Sequence, residues 1–393
     1  MNNDVRKSIA ESWKRVCAWH RATLQDCLIG LHISGEPNLM ATCFEILGSE
    51  CCGELDSLNQ DQKDRLAVCI QETQDSETGF FSPGELDRGQ LSSHSASYIR
   101  MQATYFSIHA LNALGEKPLF PVRIAEKLSN ADFAEGWIDA GNWRNPWLQS
   151  NNVMFALTFL QASDGFTKGA GFGQGRAFDA ILDYLDDRQD SISGMWQPDD
   201  GRDDRNAAFA AYHFFPYFYF RGREPKFQAE AIDTLISLMQ PDGFFGYGVG
   251  KSGACEDLDV IHSLVLLSTT CQHRKDDIQE LMHTTLQSHF GIQNSDGGFP
   301  NYLKYRVSLR EFAKNPGMIK AYCTGRAQRW RYSGWTKLDC LKGCSDTWGG
   351  WFRPLSMKLI SGYLFEQELC QSGQYRALPG LGWHFSTPEQ GGS

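Results

Sequence analysis

The chain has 393 residues, 41% hydrophobic and 21% charged, which is the composition of a globular protein. Its 37 Lys and Arg against 47 Asp and Glu give a formal net charge of −10 without a basic run, which argues against a nucleic-acid partner. No stretch approaches the roughly 20 apolar residues that span a bilayer, and Met1–Val16 lacks the apolar core of a signal peptide. We therefore expect a cytoplasmic protein with no transmembrane segment, whose 12 cysteines are reduced.

The chain divides into three parts on its pattern. Residues 1–35 have the spacing of an amphipathic helix and precede any repeat, which predicts an N-terminal helical extension. Residues 36–376 carry an internal repeat, described next. Residues 377–393 are rich in Gly and Pro, which predicts an irregular C-terminal tail.

A short signal recurs along the middle part: an acidic or amide residue, a glycine and an aromatic residue. The six glycines are Gly79, Gly136, Gly194, Gly243, Gly297 and Gly349, at spacings of 49 to 58 residues. Glycine tolerates the positive φ of a tight reversal, and Asp or Asn side chains bond to nearby backbone N–H groups. Each copy is therefore predicted to be a turn that ends a helix.

The segments between these turns have helical patterns of two kinds. Residues 230–239 have apolar residues at helical spacing, whereas residues 257–268 are almost wholly apolar after their start. This difference predicts an outer ring of amphipathic helices around an inner ring of buried ones. No convincing run of alternating residues predicts a strand. We therefore predict an all-α fold, a single (α/α)6 toroid that encloses a cavity.

All inner helices of such a toroid start at one rim, so polar and aromatic residues at those starts converge on the mouth of the cavity. The candidate site residues are His94, Tyr98, Trp143, Trp147, Asn151, Asp203, Arg205, Glu256, Asp257, Asp259, Asp346, Trp348 and Arg353. Several have structural interpretations as well. An Asp at a helix start can be an N-cap, a Trp can pack over a turn, and an Arg can pair with a carboxylate of the rim.

The carboxylates at the start of one inner helix are the strongest chemical signal. Glu256 and Asp259 are three residues apart and share a helix face, so in an enclosed site each charge raises the pKa of the other group. A carboxylic acid that stays protonated at neutral pH can act as a general acid.

The glycine-aromatic turns, preceded by glutamine at Gln74, Gln240 and Gln293, resemble the repeats of the terpene cyclase and prenyltransferase superfamily. The resemblance covers roughly residues 40–370. That superfamily includes squalene-hopene cyclases and the β subunits of protein prenyltransferases, whose toroids have this plan. The resemblance implies a cavity that binds a hydrophobic, isoprenoid small molecule.

A more specific resemblance lies in Glu256-Asp257-Leu258-Asp259-Val260. Class II terpene cyclases carry an Asp-x-Asp-Asp motif whose middle aspartate protonates the substrate. Asp257 and Asp259 match the first two aspartates, which implies that Asp259 is the general acid, while Val260 replaces the last one. Those cyclases usually place the site between two toroids, and this chain has room for one. The zinc site of prenyltransferases is not matched, because Cys255 and Asp257 occur in reverse order, so no metal ligand set is predicted.

Three functions follow as hypotheses. The first is a class II terpene cyclase-like enzyme, in which Arg205 and Arg353 would bind a diphosphate, with Mg²⁺ a plausible cofactor for such a substrate. The second is a carbohydrate-active lyase or hydrolase of the same toroid type, with Trp143 and Trp147 stacking on sugar rings. Its acid-base and carboxylate-neutralising groups would be Asn151, His94, Tyr98 and Arg205. The third is a toroid that binds without catalysis. A largely aromatic cavity would favour the first hypothesis and an open polar groove the second; oligomeric state is left open.

Overall fold

The computed structural model describes residues 2–24, 28–86, 91, 94–163, 171–304, 325–366 and 378–383. Helices make up most of these residues. In chain order they are α1 (Asn2–Thr23), α2 (Leu39–Cys51), α3 (Gln60–Gln71), α4 (Ala96–Ala113), α5 (Ile124–Leu128), α6 (Ala131–Asp139), α7 (Pro146–Ser163), α8 (Gly171–Arg188), α9 (Asp204–Tyr212), α10 (Phe215–Phe220), α11 (Gln228–Ser237), α12 (Ala254–Leu267), α13 (Lys275–Ile292) and α14 (Thr347–Phe365).

The inner layer is a closed ring. Helices α2, α4, α7, α9, α12 and α14 each pack against the next, and α14 packs against α2. Every residue of α2 is buried, and nearly every residue of α12 is. A helix buried on all sides needs neighbours on all sides, which a ring with an outer layer provides. The predicted all-α toroid is therefore confirmed.

The outer layer consists of helices with one apolar face. In α13 the buried residues include Ile278, Leu281, Met282 and Leu286, which form a single stripe at helical spacing. This helix packs on α14, while α11 packs on α12 and α3 on α4. The predicted division into amphipathic outer helices and apolar inner helices is seen in these pairs.

Helix α1, from the predicted N-terminal extension, packs against both α2 and α14. It buries Ile9, Trp13 and Val16 along one face. Near its C-terminal end, His20 Nδ1 lies 2.8 Å from Glu45 Oε1 of α2, and His20 Nε2 lies 3.0 Å from the Gly350 carbonyl oxygen of α14. Burial opposes protonation of His20, but the Glu45 carboxylate outweighs it and raises the pKa of the imidazole. The N-terminal segment thus occupies an outer-layer position.

Four of the six predicted turns are confirmed. The glycines with a positive φ at these turns are Gly79, Gly194, Gly243 and Gly297. At Gly79 the φ of 75° and a Pro121 carbonyl oxygen only 2.1 Å from an added Cβ both exclude a larger residue. The preceding Gln74 bridges this turn, because its Nε2 donates to the Gly79 carbonyl oxygen at 2.9 Å.

The turns predicted at Gly136 and Gly349 are wrong. Gly136 lies inside α6, and the chain reverses after that helix ends at Asp139. Gly349 lies in the first turn of α14, whose N-cap is Asp346. A Cβ on Gly349 would come within 2.5 Å of the Asn301 backbone nitrogen. This glycine therefore allows close packing of the preceding segment on α14 rather than a change of direction.

The expectation that the chain has no strands is also corrected. Strands β1 (Arg329–Arg331) and β2 (Asp339–Leu341) pair in antiparallel register, with Trp330 opposite Cys340. They form a hairpin, residues 329–341, which precedes α14 in the chain. Each strand has only three residues, too few for a detectable alternating pattern.

The C-terminal tail is described only at residues 378–383, which form neither helix nor strand. Within the ranges given above, no helix is both long enough and apolar enough to cross a bilayer.

Candidate functional site

The toroid encloses a cavity of about 400 Å³, within the usual size range of small-molecule sites. Its walls come from α4, α7, α12 and α14, from residues 301–302, from the β1–β2 hairpin and from the C-terminal tail. The lining residues are His94, Tyr98, Gln102, Phe106, Asn145, Trp147, Leu148, Asn151, His213, Cys255, Asp259, Asn301, Tyr302, Trp330, Arg331, Tyr332, Ser333, Gly334, Trp348, Phe352 and Leu381.

Aromatic rings dominate this lining. Trp348 is at the centre of one cluster, with its ring centroid 4.6 Å from that of Tyr332 and 4.3 Å from that of Phe352. Phe106 packs edge-on to Trp348 at 5.8 Å. Tyr98 and Trp147 complete the wall on α4 and α7. Such rings offer apolar surface together with faces whose quadrupole attracts positive charge.

Asp259 is the carboxyl group that faces this cavity. It lies in the second turn of α12 and is 1% exposed. Burial raises its pKa well above the ordinary value, and the charges of Glu256 and Asp257 raise it further. Among the described residues its Oδ2 has no hydrogen-bond partner. Burial therefore favours the protonated form of Asp259, whose Oδ2 is unpartnered among the described residues and lies in an aromatic cavity.

Asp257 points to a different side of α12, because two residues correspond to about 200° of helical rotation. It forms an ion pair with Arg353 of α14 and accepts a hydrogen bond from the Phe245 backbone N–H at 2.8 Å. Burial raises the pKa of Asp257, and the Arg353 guanidinium opposes that shift. Arg353 also donates to the Asn301 carbonyl oxygen at 3.2 Å. Asp257 thus holds α12, α14 and the segment between them together.

Glu256 closes the N-terminus of α12. Its carboxylate accepts a hydrogen bond from the Gly253 backbone N–H, in the arrangement of a capping box. Burial raises its pKa to about 7, and the charge of Asp257 acts in the same direction. Glu256 caps the helix and, when ionised, favours the neutral form of Asp259.

Five of the other candidate residues line the cavity with Asp259: His94, Tyr98, Trp147, Asn151 and Trp348. The rings of His94 and Tyr98 lie 4.6 Å apart. Asn151 Nδ2 donates to the Trp147 carbonyl oxygen at 2.8 Å, within the first turns of α7. The structure thus brings together residues from copies that are distant in sequence.

Three further candidates make local structural contacts. Trp143 is buried in the connection before α7, where its Nε1 donates to the Ile138 carbonyl oxygen at 3.1 Å. Asp203 is the N-cap of α9. Arg205 donates to the carbonyl oxygens of Phe245 and Leu238, both at 3.1 Å.

Asp346 and Arg353 organise the approach to α14. Asp346 caps this helix by accepting from the Gly349 backbone N–H at 2.7 Å, and it also accepts from the Asn301 backbone N–H at 2.7 Å. Burial raises the pKa of Asp346 to about 7. Asn301 in turn accepts from the Ala254 backbone N–H at the start of α12, at 2.8 Å. Asp346 and Arg353 therefore position the segment that abuts α12.

The β1–β2 hairpin adds lining residues that the repeat pattern does not indicate, among them Trp330, Arg331 and Tyr332. The glycine spacing does not reveal them, because Gly297 and Gly349 are 52 residues apart, within the range of the other copies. Among the described helices of the inner ring, the next one after Gly297 begins 50 residues later, at Thr347. The corresponding intervals after Gly79, Gly194 and Gly243 are 17, 10 and 11 residues. An insertion at the rim of a toroid, containing Trp and Tyr around an Arg, marks a segment that can cover its mouth.

His213 lines the cavity just beyond the end of α9. Its Nδ1 lies 2.7 Å from Ser150 Oγ, which also donates to the Trp147 carbonyl oxygen at 2.8 Å. Because the hydroxyl has one proton, these contacts assign the Nδ1–H tautomer and leave a lone pair on Nε2. Burial lowers the pKa of His213 to about 3, so the imidazole is neutral.

A metal site is not evident in the part of the chain that the structure describes, where no group of three or more His, Cys, Asp and Glu side chains could hold an ion.

Comparison with known proteins places the fold. No protein-family model matches the sequence, and no curated protein matches it. A solved structure of the type II terpene cyclase MstE from Scytonema, a variant in complex with its substrate geranylgeranyl dihydroxybenzoate, matches with a TM-score of 0.51 at 10% identity. A second MstE variant, in complex with the product merosterolic acid A, matches with a TM-score of 0.49 at 11% identity. Each match covers 92% of this chain and 99% of the other. At this identity the likeness shows the fold alone, which the first of these structures shares.

Proposed function

We propose that the chain is a class II terpene cyclase-like enzyme that begins the cyclisation of an isoprenoid by protonation from Asp259. The observation that carries the proposal is the carboxyl group of Asp259, which is buried, faces an aromatic cavity and has an oxygen that no described residue bonds. Burial raises the pKa of this group well above its ordinary value. Protonation of an alkene needs an acid that keeps its proton until the substrate is bound, and burial in a low-dielectric site produces that state.

The three carboxyl groups near the start of α12 have separate tasks in this mechanism. The charge of Asp257 is balanced by Arg353, so that residue fixes the helix. Glu256 caps the helix and its charge opposes ionisation of Asp259. Asp259 faces the substrate alone and is the one that transfers a proton.

The proposed reaction begins and ends with transfer of a proton. The O–H bond of Asp259 breaks, and the π electrons of the terminal alkene form the new C–H bond, leaving a tertiary carbocation. Further alkenes of the same chain attack this cation and form ring bonds. Loss of a proton from carbon ends the sequence, and Asp259 regains a proton from solvent. The product is then an isomer of the substrate.

The cavity wall suits a cation. Tyr98, Trp147 and Trp348 present rings from three different inner helices, and such rings stabilise a nearby positive charge by about 0.5–2 kcal/mol each. These groups also exclude water, which would otherwise capture the cation. His213 Nε2 is the acceptor that we assign to the final proton, because the imidazole is neutral and its other nitrogen is bonded to Ser150.

The polar end of the substrate is best placed at the hairpin. Arg331 lines the cavity there, near His94 and Asn145. Arg331 shares Asp339 with Arg329, which bonds that carboxylate at 2.9 Å, whereas Arg331 lies 3.5 Å from it. The looser of the two guanidinium groups is thus available to an anionic head group. If that group is a diphosphate, Mg²⁺ would accompany it.

The size of the fold supports the proposal. A toroid is usually one of two in cyclases of this class, and this chain forms one. The MstE chain is nevertheless covered to 99% by this chain, so a type II terpene cyclase can consist of a single toroid. The aromatic lining also favours a hydrophobic substrate over a sugar. Arg205, which both hypotheses assign to an anionic group of the substrate, is bonded to backbone carbonyl groups instead.

The test is incubation of the purified protein with linear prenyl diphosphates and with prenyl-substituted aromatic acids, with and without Mg²⁺, in water and in deuterium oxide. We expect an isomer of one substrate, carrying one additional deuterium at the former terminal alkene when formed in deuterium oxide, with the diphosphate retained where one is present. Release of inorganic diphosphate, or absence of deuterium from the product, would contradict protonation by Asp259. If no substrate of either class is converted, the cyclase proposal fails.

A further inference from the structure

The far end of the cavity is closed by the C-terminal tail. The Leu381 backbone N–H donates to the Tyr105 hydroxyl at 2.9 Å, and the Gly382 backbone N–H donates to the Tyr212 hydroxyl at 2.8 Å. Tyr105 lies seven residues beyond Tyr98 on α4, which corresponds to about 10 Å along the helix axis. Tyr212 is the last residue of α9. Both anchors are thus remote from the rim at which the inner helices begin.

This closure is a packed element of the fold. A Cβ on Gly380 would lie 2.6 Å from both the Tyr105 hydroxyl and His109 Cε1, so only glycine fits there. Trp383 packs edge-on to Phe220 with ring centroids 5.7 Å apart. Leu381, between these two anchors, is 7% exposed and lines the cavity. Two hydrogen bonds and two close contacts therefore hold the Leu381 side chain in place.

The position of Leu381 relative to Asp259 affects which substrates the cavity accepts. Asp259 and Leu381 line the same cavity. Tyr212, which holds the tail, ends α9, and α9 packs against the helix that carries Asp259. A chain whose polar head lies at the hairpin extends toward this end, with its terminal alkene beside Asp259. A longer chain would meet the Leu381 side chain, and a shorter one would not reach the acid.

We propose that Leu381, held by Tyr105 and Tyr212, sets the maximum length of the linear apolar chain that the cavity accepts. This inference depends on the proposed function in one respect, the class of ligand, which is a linear apolar chain. It identifies the tail as the specificity-determining segment, with Leu381 as its contact residue.

The test measures binding rather than turnover. Farnesol, geranylgeraniol and geranylfarnesol are titrated into wild type, Leu381→Ala, Leu381→Trp and the control Leu378→Ala, with tryptophan fluorescence as the signal, since Trp147, Trp330 and Trp348 line the cavity. Leu378 is a half-buried residue of the same tail that packs on the core. Circular dichroism and thermal melting confirm that each variant is folded.

We expect Leu381→Ala to strengthen binding of the longest prenol about tenfold, because room for one or two further methylene groups becomes available. Leu381→Trp should weaken the two longer prenols and leave farnesol within about twofold. Leu378→Ala should keep the wild-type order. If Leu381→Trp does not fold, the order of chain lengths in Leu381→Ala decides whether the inference holds.

The possible results separate the two proposals. An unchanged order of chain lengths in folded Leu381→Ala overturns the inference, even if wild type cyclises a substrate. Failure of wild type to bind any prenol overturns it as well. A shifted order without any turnover supports the role of Leu381 and contradicts the proposed catalysis.

Discussion

Arg353 and Asp257 form an ion pair in which neither side chain is exposed to solvent. The pair joins α14 to α12 just before Asp259, whose Oδ2 has no partner among the described residues. One carboxylate is therefore paired with a guanidinium, whereas burial raises the pKa of its neighbour two residues later. Sequence proximity does not imply a shared role, because helix geometry turns the two groups to different surroundings.

Replacement of the proposed acid is the most direct test of the mechanism. We expect Asp259→Asn to reduce cyclisation by about 10²- to 10⁴-fold, since the amide has the same shape but no acidic proton. Product formation is measured by mass spectrometry. The control is Asp203→Asn, which keeps an N-cap of similar strength on α9 and should retain wild-type turnover. Equal turnover in Asp259→Asn and wild type would remove Asp259 from the mechanism.

Loss of the buried guanidinium should destabilise the fold. Arg353→Ala leaves Asp257 buried without its counter-charge, for which we expect a loss of about 3–5 kcal/mol in the free energy of unfolding. Arg205→Ala is the comparison, since Arg205 is half-buried and bonds backbone carbonyl groups; its loss should be smaller. Urea denaturation measures both values.

A second variant checks the cause of that loss. Combining Arg353→Met with Asp257→Asn removes both charges and should recover part of the stability. If the double variant is no more stable than Arg353→Ala, the ion pair does not explain the effect.

The free energy of unfolding should depend on pH through Glu256. Burial raises its pKa to about 7 in the folded state, whereas the unfolded carboxyl titrates near its ordinary value. Between these two values the folded state holds a proton that the unfolded state has lost, so stability falls as pH rises toward about 7. We expect Glu256→Gln to gain stability relative to wild type across this range, by at most about 3 kcal/mol.

The control for the pH experiment is Val68→Ala, at an exposed residue whose side chain does not ionise. Its difference from wild type should not change between the acidic and neutral ends of the range. A Glu256→Gln difference that is likewise constant with pH would contradict a raised pKa for Glu256.

The end of the reaction gives a separate prediction. If His213 accepts the final proton, His213→Asn should yield alkene isomers or alcohols absent from the wild-type product, because the cation then loses a different proton or captures water. Gas chromatography of the products resolves these species. The comparison variant is Asn151→Gln, which keeps an amide at the cavity wall. An unchanged product spectrum in His213→Asn would assign the final proton to another acceptor.

The packing of α1 on the ring gives a stability prediction. Trp13 is buried on the face that packs against α2 and α14, so Trp13→Ala should cost about 3–5 kcal/mol. Glu11→Ala, at an exposed position of the same helix, should change stability by less than about 0.5 kcal/mol. Thermal melting of the whole chain is the measurement. A Trp13→Ala variant that melts at the wild-type temperature would show α1 to be an independent extension.

The sequence predicts the toroid because its signals are local. A glycine at a positive φ, as at Gly79, depends on a few neighbouring residues, and the apolar character of α12 is visible within one segment. The predictions of turns at Gly136 and Gly349 are wrong because the same three-residue signal also occurs inside helices. Pattern alone does not separate a glycine that reverses the chain from one that permits close packing.

The site depends on contacts that no local pattern contains. Arg353 and Asp257 are 96 residues apart in the sequence. Leu381 and Tyr105, which share a hydrogen bond, are 276 residues apart. The role of Asp259 could be anticipated from its motif, but the partner of Asp257 could not. The hairpin that carries Arg331 leaves no mark in the repeat spacing, because Gly297 and Gly349 are 52 residues apart, like the other copies.

The contact between α2 and α14 has a consequence for biosynthesis. These helices are the first and last members of the inner ring, and roughly three hundred residues separate their centres. Until α14 has left the ribosome, one apolar side of α2 has no neighbour, and an open arc of inner helices is exposed. Closure at this seam brings together chain segments of very high sequence separation, so it should be a slow, late event. The nascent chain is therefore a natural client for chaperones that shield apolar surface until synthesis reaches the final helix.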